Sequence, residues 1–222
     1  MTSRRFNKKA FISQVFINIP YGEDYEKLLL AYTCVIVALR RIPRLAFEAT
    51  EGGKSRLDKI MDLLETCQLS IHDLSAVEGH PTEEPGPDGK PRKLIRFNMP
   101  FELGLACHIK RQYAGRRNYE YFVFEAVKYR IHKTLSDLLG VDTKAHEMNP
   151  IMLISEALDA FHGASNLPIN GLNAANVTKL YMMLEAEAER LKIANNKKSL
   201  FKVSIYVPLV AYAIEQANIL LE

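Results

Sequence analysis

The stretch Gln14-Val-Phe-Ile-Asn-Ile-Pro20, followed after Tyr21 by Gly22-Glu-Asp-Tyr-Glu-Lys-Leu-Leu-Leu-Ala31, decides the fold. Its first half is short, β-branched and apolar on both faces, the pattern of a strand buried within a covered sheet. Residues 23–41 then change period. Leu28, Tyr32, Val35, Ile36 and Leu39 fall on one face of a helix. Glu23 and Asp24 lie in its first turn, where carboxylates suit the positive end of the helix dipole. Arg40, Arg41 and Pro43 close it.

The same cycle recurs downstream. Arg44-Leu-Ala-Phe-Glu-Ala49 reads as a second strand and Gly52-Gly-Lys-Ser55 as a turn, with Ser55 the expected N-cap of a second helix carrying Leu57, Ile60, Met61 and Leu64. Gln68-Leu-Ser-Ile-His-Asp73 is a third strand that ends on a carboxylate. A third helix opens near Met99-Pro100 and Tyr119-Glu-Tyr-Phe-Val-Phe124 is a fourth strand. Strands alternating with helices predict βαβ units, hence a parallel sheet with right-handed crossovers. Between the third strand and third helix, residues 76–95 hold four prolines and three glycines, which reads as a mobile flap or a binding loop. After residue 127 the spacing predicts helices at 130–139, 150–161, 174–194 and 200–221 and no further strand. Phe201-Lys-Val-Ser-Ile-Tyr-Val207 is ambiguous because Pro208 breaks or kinks a helix. The expected organisation is an α/β domain over residues 1–128 and a C-terminal helical subdomain over 129–222.

Composition bounds the function. The chain has 222 residues, 48% apolar and 25% charged, the balance of a globular protein with a core. The net charge of +3 is small and the basic residues are dispersed, so no nucleic-acid partner is expected. The basic start lacks the apolar run of a secretory signal, and no apolar stretch reaches the ~18 residues needed to span a bilayer, so a cytoplasmic protein without membrane contact is expected. Cys34, Cys67 and Cys107 are widely spaced and read as reduced thiols. The six histidines show no ligand spacing, and neither a metal nor a cofactor is expected. The Gly53-Lys-Ser55 end of a phosphate loop is present, but Glu48 stands where the first glycine is required.

Ligands of open α/β sheets bind at the carboxyl ends of strands. That rule selects Tyr21 after the first strand, Lys54 after the second, Asp73 and Ser75 after the third, and Asn98 and Glu102 at the opening of the third helix. Lys54 is placed to meet a phosphate at a helix N-terminus. Glu102 is expected in the first turn of its helix, with Asn98 and Asp73 facing the same cleft.

A strand ending in Asp73-Leu-Ser75, followed by Asn98-Met-Pro-Phe-Glu-Leu-Gly-Leu-Ala106, resembles the superfamily of Toll/interleukin-receptor (TIR)-like domains and nucleoside 2-deoxyribosyltransferases. The resemblance covers residues 14–127. It implies a flavodoxin-like three-layer sandwich with a mostly parallel sheet. It also implies cleavage of an N-glycosidic bond on NAD or on a nucleoside or nucleotide, with NAD a substrate rather than a cofactor. In that reading Glu102 is the catalytic carboxylate, and Asp73 holds sugar hydroxyls or protonates the leaving base. Tyr21, Asn98, Ser75 and Lys54 bind substrate. A different class of function is open to such folds: a non-catalytic nucleotide-sensing or assembly module, with the helical tail mediating a homo-oligomer. An exposed Glu102 in a pocket with Asp73 would favour chemistry, and a Glu102 held in an ion pair would favour the module.

Overall fold

Strand β1, Gln14–Asn18, sits at the centre of the topology. It pairs in parallel with β2, Ile42–Arg44, on one side and with β3, Leu69–Asp73, on the other. Strand β4, Glu120–Glu125, pairs with β3, and β5, Thr143–Ala145, pairs with β4, again in parallel. The order β2-β1-β3-β4-β5 is the flavodoxin-like doubly wound arrangement. The computed structural model describes residues 13–48, 52–76, 80–81, 93–94, 97–114, 118–138, 140–162 and 172–221. Most of the Pro/Gly segment, and with it the expectation of a mobile flap, lies outside those residues; its positions 80–81 and 93–94 pair as a two-residue antiparallel ladder.

Helix α1, Glu26–Ala38, lies on one face of the sheet. The spacing predicts one apolar face, but every residue of α1 except Lys27 is buried. The reason lies in the C-terminal half. Helices α5 (Pro150–His162), α6 (Ala174–Ala194) and α7 (Val203–Leu220) all pack on α1, so its sides away from the sheet are also covered. Each fully buried Leu, Val or Ile there contributes about 1.5–3 kcal/mol by leaving water. Polar ties fix the assembly. The buried Glu26 carboxylate accepts from Leu200 N at 2.7 Å and pairs with Lys192 Nζ at 2.7 Å, and Thr33 Oγ1 lies 3.0 Å from Tyr206 Oη. Helices α2 (Arg56–Thr66) and α3 (Asn98–Gln112) cover the opposite face of the sheet, where Phe16, Ile60, Leu64, Ala106 and Ile109 share a core. A short α4, Arg130–Thr134, follows β4.

Four details differ from the sequence reading. The second strand is 42–44 rather than 44–49, and Ala46–Glu48 forms a 3-10 turn. Pro43 is tolerated because β2 is an edge strand, where a missing N–H need not break a ladder. A fifth strand exists after residue 127. Thr-Lys-Ala carries no apolar alternation, since β5 is a half-covered edge of only three residues. The helix expected at 130–139 ends at Thr134. Lastly, α7 is long and apolar enough by composition to cross a membrane, contrary to the count of apolar runs. In the fold its Ile205, Tyr206, Leu209, Ala213 and Ala217 are core residues. No disulfide links Cys34, Cys67 and Cys107.

Candidate functional site

The strand order reverses between β1 and β3, and ligands of such sheets bind in the crevice beyond the carboxyl ends at that switch point. The residues there come from three directions. Asn18 ends β1 and lies beside His72 of β3, its partner in register. Tyr21 follows β1. Arg56 is the first residue of α2, whose start is set by a capping box: Ser55 Oγ accepts from Asp58 N at 3.1 Å and Asp58 Oδ2 accepts from Ser55 N at 3.2 Å. Glu102 projects from α3. That helix begins at Asn98, so Glu102 falls in its second turn, not the first, and the dipole of the helix end aids it little. Pro100 is accommodated because first-turn N–H groups have no intrahelical partner.

Glu102 is only 4% exposed. Its Oε1 lies 3.7 Å from Arg56 Nη2, and its Oε2 has no hydrogen-bond partner among the described residues. Burial pushes its carboxyl pKa up, while Arg56 and the Asn18 amide pull it back toward the charged form. The Arg56 guanidinium also stands over the Tyr21 ring, 4.9 Å from its centroid. Tyr21 stacks on Phe201 at 4.8 Å and meets Phe47 edge-on at 5.7 Å, so the segment just before α7 and the turn after β2 supply an aromatic wall. Desolvation, with smaller contributions from Glu102 and Glu48 and against the pull of Arg56, moves the Tyr21 hydroxyl up to about 12, and it stays protonated at neutral pH.

Four carboxylates are buried among the described residues: Glu26, Asp73, Glu102 and Glu125. Glu26 is held by Leu200 and Lys192 as above. Glu125 accepts from Tyr129 N, Ile131 N and Thr143 Oγ1 at 3.0, 2.8 and 2.7 Å. Asp73 accepts from Tyr32 Oη at 2.9 Å and from Ser75 N at 2.9 Å, and lies 3.1 Å from His146 Nε2. Glu102 alone keeps a bare oxygen.

The structure separates residues the sequence placed together. Asp73 does not share a cleft with Glu102. Successive side chains of a strand point to opposite faces; His72 faces the α2/α3 side with Asn18, so Asp73 faces α1 and Tyr32. The missed strand β5 then delivers His146 onto Asp73, which is fully buried. Ser75 belongs to that same cluster, its Oγ 3.1 Å from His146 Nε2. Lys54 pairs with Asp62 Oδ2 at 2.6 Å. Asn98 is exposed at the start of α3. Of the six residues selected from sequence, Tyr21 and Glu102 meet at one site. Arg56, Asn18 and His72 were not selected. A polar Asn inside an otherwise apolar strand was the available signal for Asn18. Gly104, in the Glu-Leu-Gly motif, has open space where a Cβ would stand, so no close approach requires glycine there. Among the described residues no three His, Cys, Asp or Glu side chains converge as a metal site.

Comparison of the chain with protein-family models, with curated proteins and with solved structures returned no match.

Proposed function

We propose that the protein cleaves an N-glycosidic bond of NAD⁺ or of a nucleoside or nucleotide, with Glu102 as the carboxylate beside the anomeric carbon. One observation carries this reading: Glu102 is the only buried carboxylate among the described residues that keeps a bare oxygen, and it stands at the switch point of the sheet. When the C1′–N bond breaks, its electron pair leaves with the base and positive charge builds on the sugar. A carboxylate in a low-dielectric site stabilises that charge or bonds to C1′. Water then adds its oxygen to C1′, expelling the carboxylate with its electron pair where that bond has formed, and releases a proton. The neutral Tyr21 ring offers a wall for the sugar or base, and Arg56, half exposed at the mouth, suits a phosphate.

The loss of Asp73 from the site narrows the substrate. Glu48, the other carboxylate near Tyr21, accepts from Leu45 N and pairs with Arg44 at 3.4 Å. Among the described residues that leaves no acid beside Tyr21 other than Glu102 to protonate a departing base. A pyridinium base, already cationic, needs none, so NAD⁺ fits better than a neutral purine or pyrimidine nucleoside.

The second reading is an assembly or nucleotide-sensing module, favoured by the Arg56–Glu102 pair and by a Glu102 that is buried and apart from Asp73, where chemistry was expected to show an exposed carboxylate beside it. The two are separated by incubating purified protein, dilute and concentrated, with NAD⁺ and a panel of nucleosides and nucleotides, and following base release by chromatography. Glu102→Gln keeps the shape and removes the charge, and is expected to lower the rate by about 10²–10³. Undiminished release by the variant removes Glu102 from the mechanism. No release from any substrate at either concentration leaves the module reading.

A further inference from the structure

A chain of buried polar side chains runs along the sheet face beneath α3. Tyr119 Oη lies 2.6 Å from Ser70 Oγ, Ser70 Oγ lies 2.9 Å from His72 Nε2, and His72 Nδ1 lies 3.2 Å from Asn18 Nδ2. None of the four residues is more than 3% exposed. An amide nitrogen only donates, so Nδ1 is an acceptor, the single imidazole proton sits on Nε2, and Nε2–H donates to Ser70 Oγ. Burial lowers the His72 pKa to about 3, which keeps Nδ1 an acceptor throughout the neutral range. One N–H of the Asn18 amide is thereby spent on His72. The other is available to Glu102, whose charged form Asn18 favours.

We propose that His72 is a positioning residue for the site: its Nδ1 fixes the Asn18 amide with N–H rather than C=O toward Glu102. The proposal rests on the reading of Glu102 as the working carboxylate. It explains a sequence choice that packing does not. The position is a fully buried strand centre flanked edge-on by Phe16 and Tyr121, where an apolar side chain would avoid the desolvation of an imidazole. The amide orientation matters because a reversed Asn18 would turn a carbonyl oxygen toward a carboxylate. The other groups that face Glu102 are Arg56 from α2 and Tyr21 after β1, and neither touches His72.

The test uses observables that need no substrate. In the wild-type protein, ¹⁵N correlation spectra of the His72 ring are expected to show Nε2 protonated and Nδ1 bare; an Nδ1–H tautomer overturns the proposal. Carbon-detected titration of the Glu102 carboxyl is then compared between wild type, His72→Phe and His72→Asn. Phenylalanine fills the ring space without an acceptor. Asparagine keeps an acceptor near the place of Nδ1. The Glu102 pKa is expected to rise by about one pH unit in His72→Phe, the scale of one hydrogen bond to a charge, and by less than half of that in His72→Asn. An unchanged Glu102 titration in folded His72→Phe overturns the proposal; if that variant does not fold, the wild-type tautomer and the His72→Asn titration decide. These readouts stand even if base-release assays are blank. Where activity is present, the acid limb of kcat/KM moves up with the same shift.

Discussion

Replacing Glu102 by methionine is expected to stabilise the protein while ending the base release proposed for it. The wild-type side chain is 4% exposed and leaves Oε2 without a partner among the described residues. A buried unsatisfied polar group costs about 1–3 kcal/mol. The contact with Arg56 offsets little: at 3.7 Å, with the arginine side chain 49% exposed, such a pair contributes about 0–1 kcal/mol. Methionine has similar length, no polar atoms and enough flexibility to fit the same space. The Asn18 amide, which favours the charged form and loses its acceptor in the variant, offsets part of the rest, so the net gain is about 0–1 kcal/mol at pH 7, or up to roughly 4 °C in Tm for a chain of this size. The pH dependence fixes the cause. Burial raises the folded-state pKa of Glu102, so the penalty on its charge is full above that value. It fades as pH falls toward the ~4.3 of an unfolded glutamate. The advantage of Glu102→Met should therefore narrow on acidification. Urea unfolding and thermal melts at a series of pH values measure both effects. A loss of 1 kcal/mol or more at pH 7 would refute the reasoning, because it would make Glu102 a structural brace rather than a carboxylate held against the preference of the fold.

The remaining predictions concern the frame around the site. Asp73→Ala leaves the buried Tyr32 Oη and Ser75 N without their acceptor and His146 Nε2 with Ser75 Oγ alone; at about 1–3 kcal/mol for each buried group so stranded it is expected to cost about 3–5 kcal/mol, read from the urea midpoint. Burial raises the Asp73 pKa, but the bonds from His146 and Ser75 outweigh it and the net shift is downward. Its contribution is therefore whole above the ordinary value of 3.8 and is lost as pH falls through the lower folded value, so wild-type stability should drop more steeply than that of Asp73→Ala in that acid range. Pro208→Ala restores an N–H inside α7 at an exposed position; the gain is about 1–2 kcal/mol after the lost rigidity of the unfolded chain, and an unchanged melting temperature would mean that α7 already bends to suit the proline.

The central strands and helices were legible because each carries its own period. β1 carries the buried apolar run Val15-Phe-Ile17, β3 alternates Leu69 and Ile71 with polar residues, and α6 was expected at 174–194, where it stands. The edges were not. Three-residue strands such as β2 and β5 need neither an apolar run nor freedom from proline. The full burial of α1 was hidden for another reason: periodicity names the most apolar face, and Leu29, Leu30, Cys34 and Val37 could be seen as buried only once α5–α7 were docked. At the site, Glu102 was selected by its place at the opening of α3 and by its Phe-Glu-Leu-Gly setting. The separation of Asp73 was decided by strand phase, since His72 and Asp73 must face opposite ways and only the side of the sheet taken by α3 tells which one meets Glu102. The pairing of Asn18 with His72 depends on register between β1 and β3, which no local pattern contains.

The cover over α1 sets the order in which this molecule can be completed during synthesis. α1 leaves the ribosome early, yet part of its surface meets α7, which is about 180 residues later in the chain. At ~5–20 residues per second that interval is on the order of 10–40 s. Until α5 emerges, a helix with leucine and valine on every side has only the sheet to lean on. The nascent chain must either stay collapsed around α1 or be held by another protein until α5–α7 arrive. Truncation before Pro150 should give insoluble material rather than a smaller folded unit. The helices that lie farthest from Glu102 in sequence are thus a condition for the sheet that carries Asn18 and His72 to exist at all.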